Sequence, residues 1–122
     1  MNEEEFKART QQLALRIIRL VQALPETSVG WVIGKQLLRS GTSIGVNYRA
    51  VCRGKSNADM LAKLSLVEEE ADETLYWLEL LIEAGIVPKE EIEPLMTETN
   101  EIVAMAVASM KTLRRSAGFT RQ

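Results

Sequence analysis

Three short breaks divide this chain into four long stretches, and that punctuation is what most restricts its fold. The breaks are Leu24-Pro25-Glu26-Thr27-Ser28, Gly54-Lys55-Ser56-Asn57 and Ala84-Gly85-Ile86-Val87-Pro88. Thr27 or Ser28 offers an N-cap after the first break, and Ser56 or Asn57 after the second. Gly54 and Gly85 are placed as C-terminal stops, and Pro88 stands near a first helical turn. Ser116-Ala117-Gly118 closes the last stretch. The expected helices run over roughly 3–24, 28–53, 57–84 and 89–115, each about 22–28 residues or near 33–42 Å long. Connections this short force neighbours antiparallel.

The apolar spacing agrees. The first stretch repeats at Phe6, Leu13, Ile17, Leu20 and Leu24. The third steps through Met60, Leu64, Val67, Ala71, Leu75, Leu78 and Ile82. The fourth has Ile92, Leu95, Ile102, Ala106, Met110 and Leu113, with Pro94 expected to kink or delay its first turn. Steps of three and four make a bundle seam. With only 5% aromatic and 46% apolar residues in 122, the composition is that of helices sharing one core. The expected fold is all-α: an antiparallel up-down-up-down four-helix bundle forming a single domain over 1–122.

Many chemistries drop out. The chain has no histidine, which removes His-dependent nucleophilic catalysis, His-ligated metals and a histidine pH switch. One cysteine, Cys52, forms no internal disulfide and suits a reducing compartment. It reads as a small interior or interface residue, or as a thiol whose pKa Arg53 lowers. The longest apolar run, Ile102 to Ala108, is seven residues, far short of a membrane span. The acidic Met1-Asn2-Glu3-Glu4-Glu5 start is unlike a signal peptide, so the cytoplasm is the expected location. The cluster Glu68-Glu69-Glu70, Asp72, Glu73 reads as a solvated or ion-paired face, because iron-binding bundles also need Glu-x-x-His. No enzyme activity, metal or cofactor is expected.

The net charge of −2 conceals an asymmetry. Residues 1–55 carry nine Lys/Arg against four Glu, and residues 56–122 carry six against thirteen Asp/Glu, giving +5 and −7. Basic and acidic elements can neutralise each other within a bundle or across subunits. Alternatively, the basic part forms a face for a polyanion.

The second stretch holds most of the information. At about 100° per residue, Ile33, Leu37, Ser40, Ile44, Asn47 and Val51 share a core stripe. Ser40 and Asn47 on that stripe need buried hydrogen bonds and are expected to tie helices together or fix register. Gly30, Gly34, Gly41 and Gly45 fall within about 60° of one another, at a cost of about 1 kcal/mol each relative to alanine. Close approach of another helix, from this chain or a second subunit, or of a ligand would offset it. Lys35, Arg39, Arg49 and Arg53 form a ridge opposite the core, with Thr42 on it, Lys55 beside it and Arg16 and Arg19 placed near it. The ridge is either a phosphate-binding surface or a partner for a neighbour's acids. Tyr48 is the sole aromatic candidate for base stacking there, so sequence-specific readout is not indicated.

The run Arg39-Ser-Gly-Thr-Ser-Ile-Gly-Val-Asn-Tyr-Arg-Ala resembles the bacterial four-helix-bundle family first noticed in intervening sequences of 23S rRNA genes. Its Ser-x-x-Ser-Ile/Val-x-x-Asn-Ile/Tyr pattern is matched by Ser40, Ser43, Ile44, Asn47 and Tyr48. The following block resembles the family through Ser56, Asp59, Leu64, Glu69, Glu70 and Glu73, and Trp77-Leu-Glu completes it. Many members have Glu-Gly soon after the Asn, where this chain has Ala50-Val51, so no role of that glutamate carries over. The resemblance implies a homo-oligomer, with a pentameric ring expected, and no enzyme activity. A related branch, the accessory variability proteins of diversity-generating retroelements, binds nucleic acid and partners a reverse transcriptase. RNA or DNA and a reverse transcriptase or another protein are therefore expected partners, without a membrane. The other reading is an assembly or scaffold protein whose charges are used in its own subunit contacts.

Overall fold

Asn2, Thr27 and Ser56 begin three of the four helices in the same way. Each has extended backbone and a side-chain oxygen that accepts from the N–H three residues on: Glu5 at 2.8 Å, Gly30 at 3.0 Å and Asp59 at 3.1 Å. In the computed structural model, which describes residues 2–116, the helices are α1 (Glu3–Gln22), α2 (Ser28–Cys52), α3 (Asn57–Glu83) and α4 (Lys89–Ser116). Ala117 and Gly118, named above as the stop of the last element, lie outside the described residues.

The two glycine stops differ in their physics. Gly85 takes φ +70°, donating to Ile82 O at 3.0 Å while Ile86 N–H reaches Leu81 O at 3.0 Å. This paired-bond ending suits glycine because a Cβ is disfavoured in the left-handed region. Gly54 has no positive φ, so it is not a stop of that kind. A Cβ there would run into the Cγ of Met60, so Gly54 is small because the first turn of α3 crosses close over it.

Consecutive helices pack on one another and α4 returns to α1, while the backbones of the diagonal pairs stay apart across the shared core. That is an antiparallel four-helix bundle. The starts of α1 and α3 and the ends of α2 and α4 share one end, here called the base. Phe6 stacks there on Tyr48, and Asn57 Nδ2 donates to Leu113 O at 3.4 Å. The α1/α4 seam has the fewest contacts. Arg9 spans it, donating through Nε to Glu98 Oε2 at 2.9 Å and through Nη2 to Glu98 Oε1 at 2.6 Å and Glu101 Oε1 at 2.5 Å.

Most of the expected seam is buried, but hydroxyls occupy several of its positions. Thr10, Ser40, Thr74 and Thr99 are core residues. On α3 the buried line passes through Thr74 and Leu81, with Leu75 and Ile82 half-exposed, because a 3.6-residue helix drifts from a 3.5 repeat. Pro94 lies on the exposed side of the second turn of α4, which runs on through it.

Candidate nucleic-acid interface

The glycine stripe of α2 faces α1 of the same chain. A Cβ on Gly34 would meet Val21 and Leu24 at 3.2 and 3.3 Å, one on Gly41 would meet Ile17 at 2.5 Å, and one on Gly45 would meet Thr10 at 3.4 Å. Gly30 lies under the Pro25 carbonyl of the α1–α2 turn. The missing side chains let α1 and α2 close on each other, and the same contact fixes the rotation of α2 about its axis.

That rotation divides the basic ridge. Its members span about 80° of the helix, enough for its two edges to face different neighbours. Arg39, on one edge, donates from Nη1 to Glu70 Oε1 at 3.3 Å and from Nη2 to Glu73 Oε2. Trp77 holds Glu73 in turn, its indole N–H reaching Oε2 at 3.1 Å. The Arg39 guanidinium and the Trp77 N–H together hold the Glu73 carboxyl below its ordinary 4.5. Lys35, Arg49, Arg53 and Lys55 are exposed and pair with no described carboxylate.

Arg16 and Arg19 do not join this ridge. The face of α1 turned toward α2 carries Thr10, Ile17 and Val21. Arg16 follows Arg9 by seven residues and so shares the side facing α4, while Arg19 stands about 200° from Ile17. Tyr48 is likewise not a base-stacking residue. It is 7% exposed and stacks on Phe6 with ring centroids 3.8 Å apart and planes 8° from parallel.

The polar residues of the α2 motif do several jobs. Ser40 ties α2 to α3: Thr74 donates to its Oγ at 3.0 Å, and Ser40 donates to Leu37 O at 3.3 Å. Asn47 and Ser43, by contrast, bond within their own helix, Asn47 Nδ2 to Ser43 O at 2.9 Å and Ser43 Oγ to Arg39 O at 2.7 Å. The expectation that Asn47 links helices therefore fails, because it sits half-exposed at the margin of the stripe. Cys52 is half-buried and behaves as a small interior residue and not as a thiol lowered by Arg53: burial pushes its thiol up, outweighing the hydroxyl of Tyr48 and the charge of Lys7.

A second grouping of charge was missed in the sequence. Arg49, Arg53 and Lys55 stand at and just past the end of α2 at the base, and Lys111, Arg114 and Arg115 close α4 at the same end, diagonally across the bundle. All six are exposed and none pairs with a described carboxylate. Each set suits the negative end of its own helix; the antiparallel topology brings both sets to one end of the bundle, on diagonally opposed helices. The same end carries four acids: Glu3 and Glu4 pair with Lys7 at 3.4 and 3.9 Å, Asp59 accepts from the Lys55 N–H at 3.3 Å, and Glu5 is exposed. The opposite end gathers Glu26, Glu79, Glu83, Glu90, Glu91 and Glu93. The available signal was basic residues in the last turn of two helices that antiparallel pairing brings to one end.

The outward surface of α2 is also apolar. Trp31, Val32 and Val46 are 65%, 62% and 66% exposed. Tyr76 on α3 is 55% exposed, with Leu66, Glu69 and Asp72 on the same side of that helix. Among the described residues no three acidic or thiol side chains converge as metal ligands, and no helix is long and apolar enough to cross a membrane.

Residues 3–108 match the model of the family described as 23S rRNA-intervening sequence protein. The chain is also similar to a solved protein of unknown function from the S23 ribosomal protein family of Bacteroides thetaiotaomicron. The two are 37% identical with a TM-score of 0.85, over 91% of this chain and 99% of that one. No curated protein matches. Of the residues named above for the resemblance, Ser56 caps α3, Tyr48 stacks in the core, and Ser40, Glu70, Glu73 and Trp77 take part in the ties between α2 and α3.

Proposed function

This chain belongs to the 23S rRNA-intervening sequence protein family, and from that premise we propose that it is a non-catalytic, self-assembling cytoplasmic module that offers its basic pole to the phosphates of RNA or DNA. The observation that carries this reading is the set of six unpaired cations at the base, drawn from the ends of α2 and α4. Arg39 is not among them, since Glu70 and Glu73 already hold it. Contacts of this kind read phosphate charge and not base identity.

Self-assembly is supported by the uncovered surface of α2. Trp31 and Val32 near the start of α2 and Val46 near its end are exposed apolar residues, with Lys35 and Arg49 on the same outward side, and α3 presents Tyr76 and Leu66 with Glu69 and Asp72. The two surfaces complement each other in charge and lie on different helices. A contact between them is head-to-tail, the kind that closes into a ring. In such a ring every basic pole points the same way and the poles form one continuous rim. This also gives the scaffold reading its place: Lys35 serves the subunit contact while the cations at the base remain free.

Light scattering coupled to size exclusion, with and without a short mixed-sequence RNA, tests both parts. The protein should elute as an oligomer that takes up RNA at low salt. Six phosphate contacts imply about a 10³-fold loss of affinity between 50 and 200 mM salt. Arg114→Glu with Arg115→Glu should abolish RNA uptake and leave the mass unchanged, whereas Val46→Glu should reduce the mass. An oligomer that ignores RNA at low salt overturns the nucleic-acid reading and directs attention to protein partners, a reverse transcriptase among them.

A further inference from the structure

We propose that the base of the bundle holds a binding site for a single-chain amphiphile with an anionic head, its chain in the chamber between the helix ends and its head on Arg49 and Arg53. The chamber is a cleft about half open to solvent, with Glu3, Ser109 and Thr112 on its polar side, and measures about 470 Å³, within the range of small-molecule sites. Phe6, Tyr48, Val51 and Leu64 form its inner wall, and Met60 and Met105 line it from α3 and α4. Methionine adapts its shape to an apolar guest more readily than a branched side chain does.

The chamber exists for a structural reason. The Phe6–Tyr48 stack fills the space between α1 and α2 at this end, and the α1/α4 seam beside it is the least closely packed in the bundle. Gly54 leaves room for Met60 at the wall.

Next to the chamber is a recess of about 350 Å³ lined by Glu3, Lys7, Arg49, Cys52 and Arg53. Glu3 and Cys52 border both spaces, so they adjoin. Glu3 engages Lys7 at 3.4 Å, leaving Arg49 and Arg53 without a partner among described carboxylates. Burial pushes both the Tyr48 hydroxyl and the Cys52 thiol up, so both stay neutral at pH 7. An apolar chamber beside a recess with three cations and one carboxylate suits a chain that ends in a carboxylate. Nothing in this argument depends on nucleic-acid binding, although both sites use Arg49 and Arg53.

Isothermal titration calorimetry of the full chain with sodium octanoate, sodium decanoate and decyltrimethylammonium provides the test. One decanoate should bind per chain, about 15-fold more tightly than octanoate, since each buried CH₂ is worth about fourfold. Decyltrimethylammonium should bind at least tenfold more weakly than decanoate. Ala108→Trp, at an exposed position lining the chamber, should abolish decanoate binding without changing the thermal midpoint. Arg53→Gln should weaken decanoate while leaving the cationic amphiphile unaffected. No decanoate binding at millimolar concentration, equal affinity for the two head groups, or undiminished binding to a folded Ala108→Trp protein would each overturn the proposal.

Discussion

Ile17 of α1 occupies the space that a side chain on Gly41 would need: an ideal Cβ at Gly41 lies 2.5 Å from Ile17 Cδ1 and 3.1 Å from its Cγ2. Ile17 is fully buried and has little freedom to withdraw. Gly41→Ala should therefore lose about 1–3 kcal/mol to overpacking, against about 1 kcal/mol gained in helix propensity. Gly30→Ala should cost more, because the obstacle is the Pro25 backbone carbonyl. Gly45→Ala meets Thr10 only at 3.4 Å and should be neutral or stabilise by up to about 1 kcal/mol. Urea denaturation of the three variants checks the order.

Ser40 and Thr74 are both fully buried and share a hydrogen bond across α2 and α3. Thr74 Oγ1 also lies 2.8 Å from Glu70 O and Ser40 Oγ 3.3 Å from Leu37 O, so the single proton of each hydroxyl has a backbone carbonyl as an alternative acceptor. Either hydroxyl thus keeps one backbone partner when the other is removed, so Ser40→Ala and Thr74→Val should each cost only about 1 kcal/mol. The double variant should lose less than the sum, and a double-mutant cycle measures the coupling.

Arg9 is the principal polar tie across the weakest seam. Its bidentate hold on Glu98 leaves the two side chains 29% and 20% exposed, more sheltered than an ordinary surface pair. Arg9→Ala should destabilise the protein by about 1 kcal/mol. Hydrogen exchange should show the increased opening concentrated in α1 and the facing part of α4.

Acidification should release the α2–α3 tie. The Arg39 guanidinium, and secondarily the Trp77 indole N–H, lower the Glu73 carboxyl from its ordinary 4.5. A carboxyl lowered in the folded state contributes stability that is complete above its unfolded value and lost as pH falls through the folded one. The advantage of the native protein over Glu73→Gln should therefore be constant well above pH 4.5, shrink as the pH falls below 4.5, and vanish only below the lowered folded value. Thermal melts across that range provide the measurement.

The same tie changes how the basic helix should be probed. Arg39→Glu would place a third acid against Glu70 and Glu73, so lost RNA uptake in that variant would report a disturbed bundle. Arg53, Lys55, Arg114 and Arg115 make the cleaner test, because none is paired with a described carboxylate.

Breaks, caps and apolar spacing are local properties, and the sequence by itself therefore determined the number of helices, their antiparallel order and the buried lines through Leu13, Ile33 and Leu64. It also determined that α2 must be approached closely along its glycines, since four of them in one helix need a compensating contact. Only the tertiary structure decided that α1 of the same chain makes that contact, because identical glycines would also admit a neighbouring subunit. The fate of each charge was decided there as well. Arg39 and Arg49 differ by about 80° around one helix, and the rotation imposed by the glycine contact turns one toward the acids of α3 and leaves the other free. Arg9 found its carboxylates 89 and 92 residues away, with only the i,i+3 spacing of Glu98 and Glu101 as a local sign. Spacing along the chain establishes which side chains share a face of a helix; which partner that face meets depends on how the helices pack.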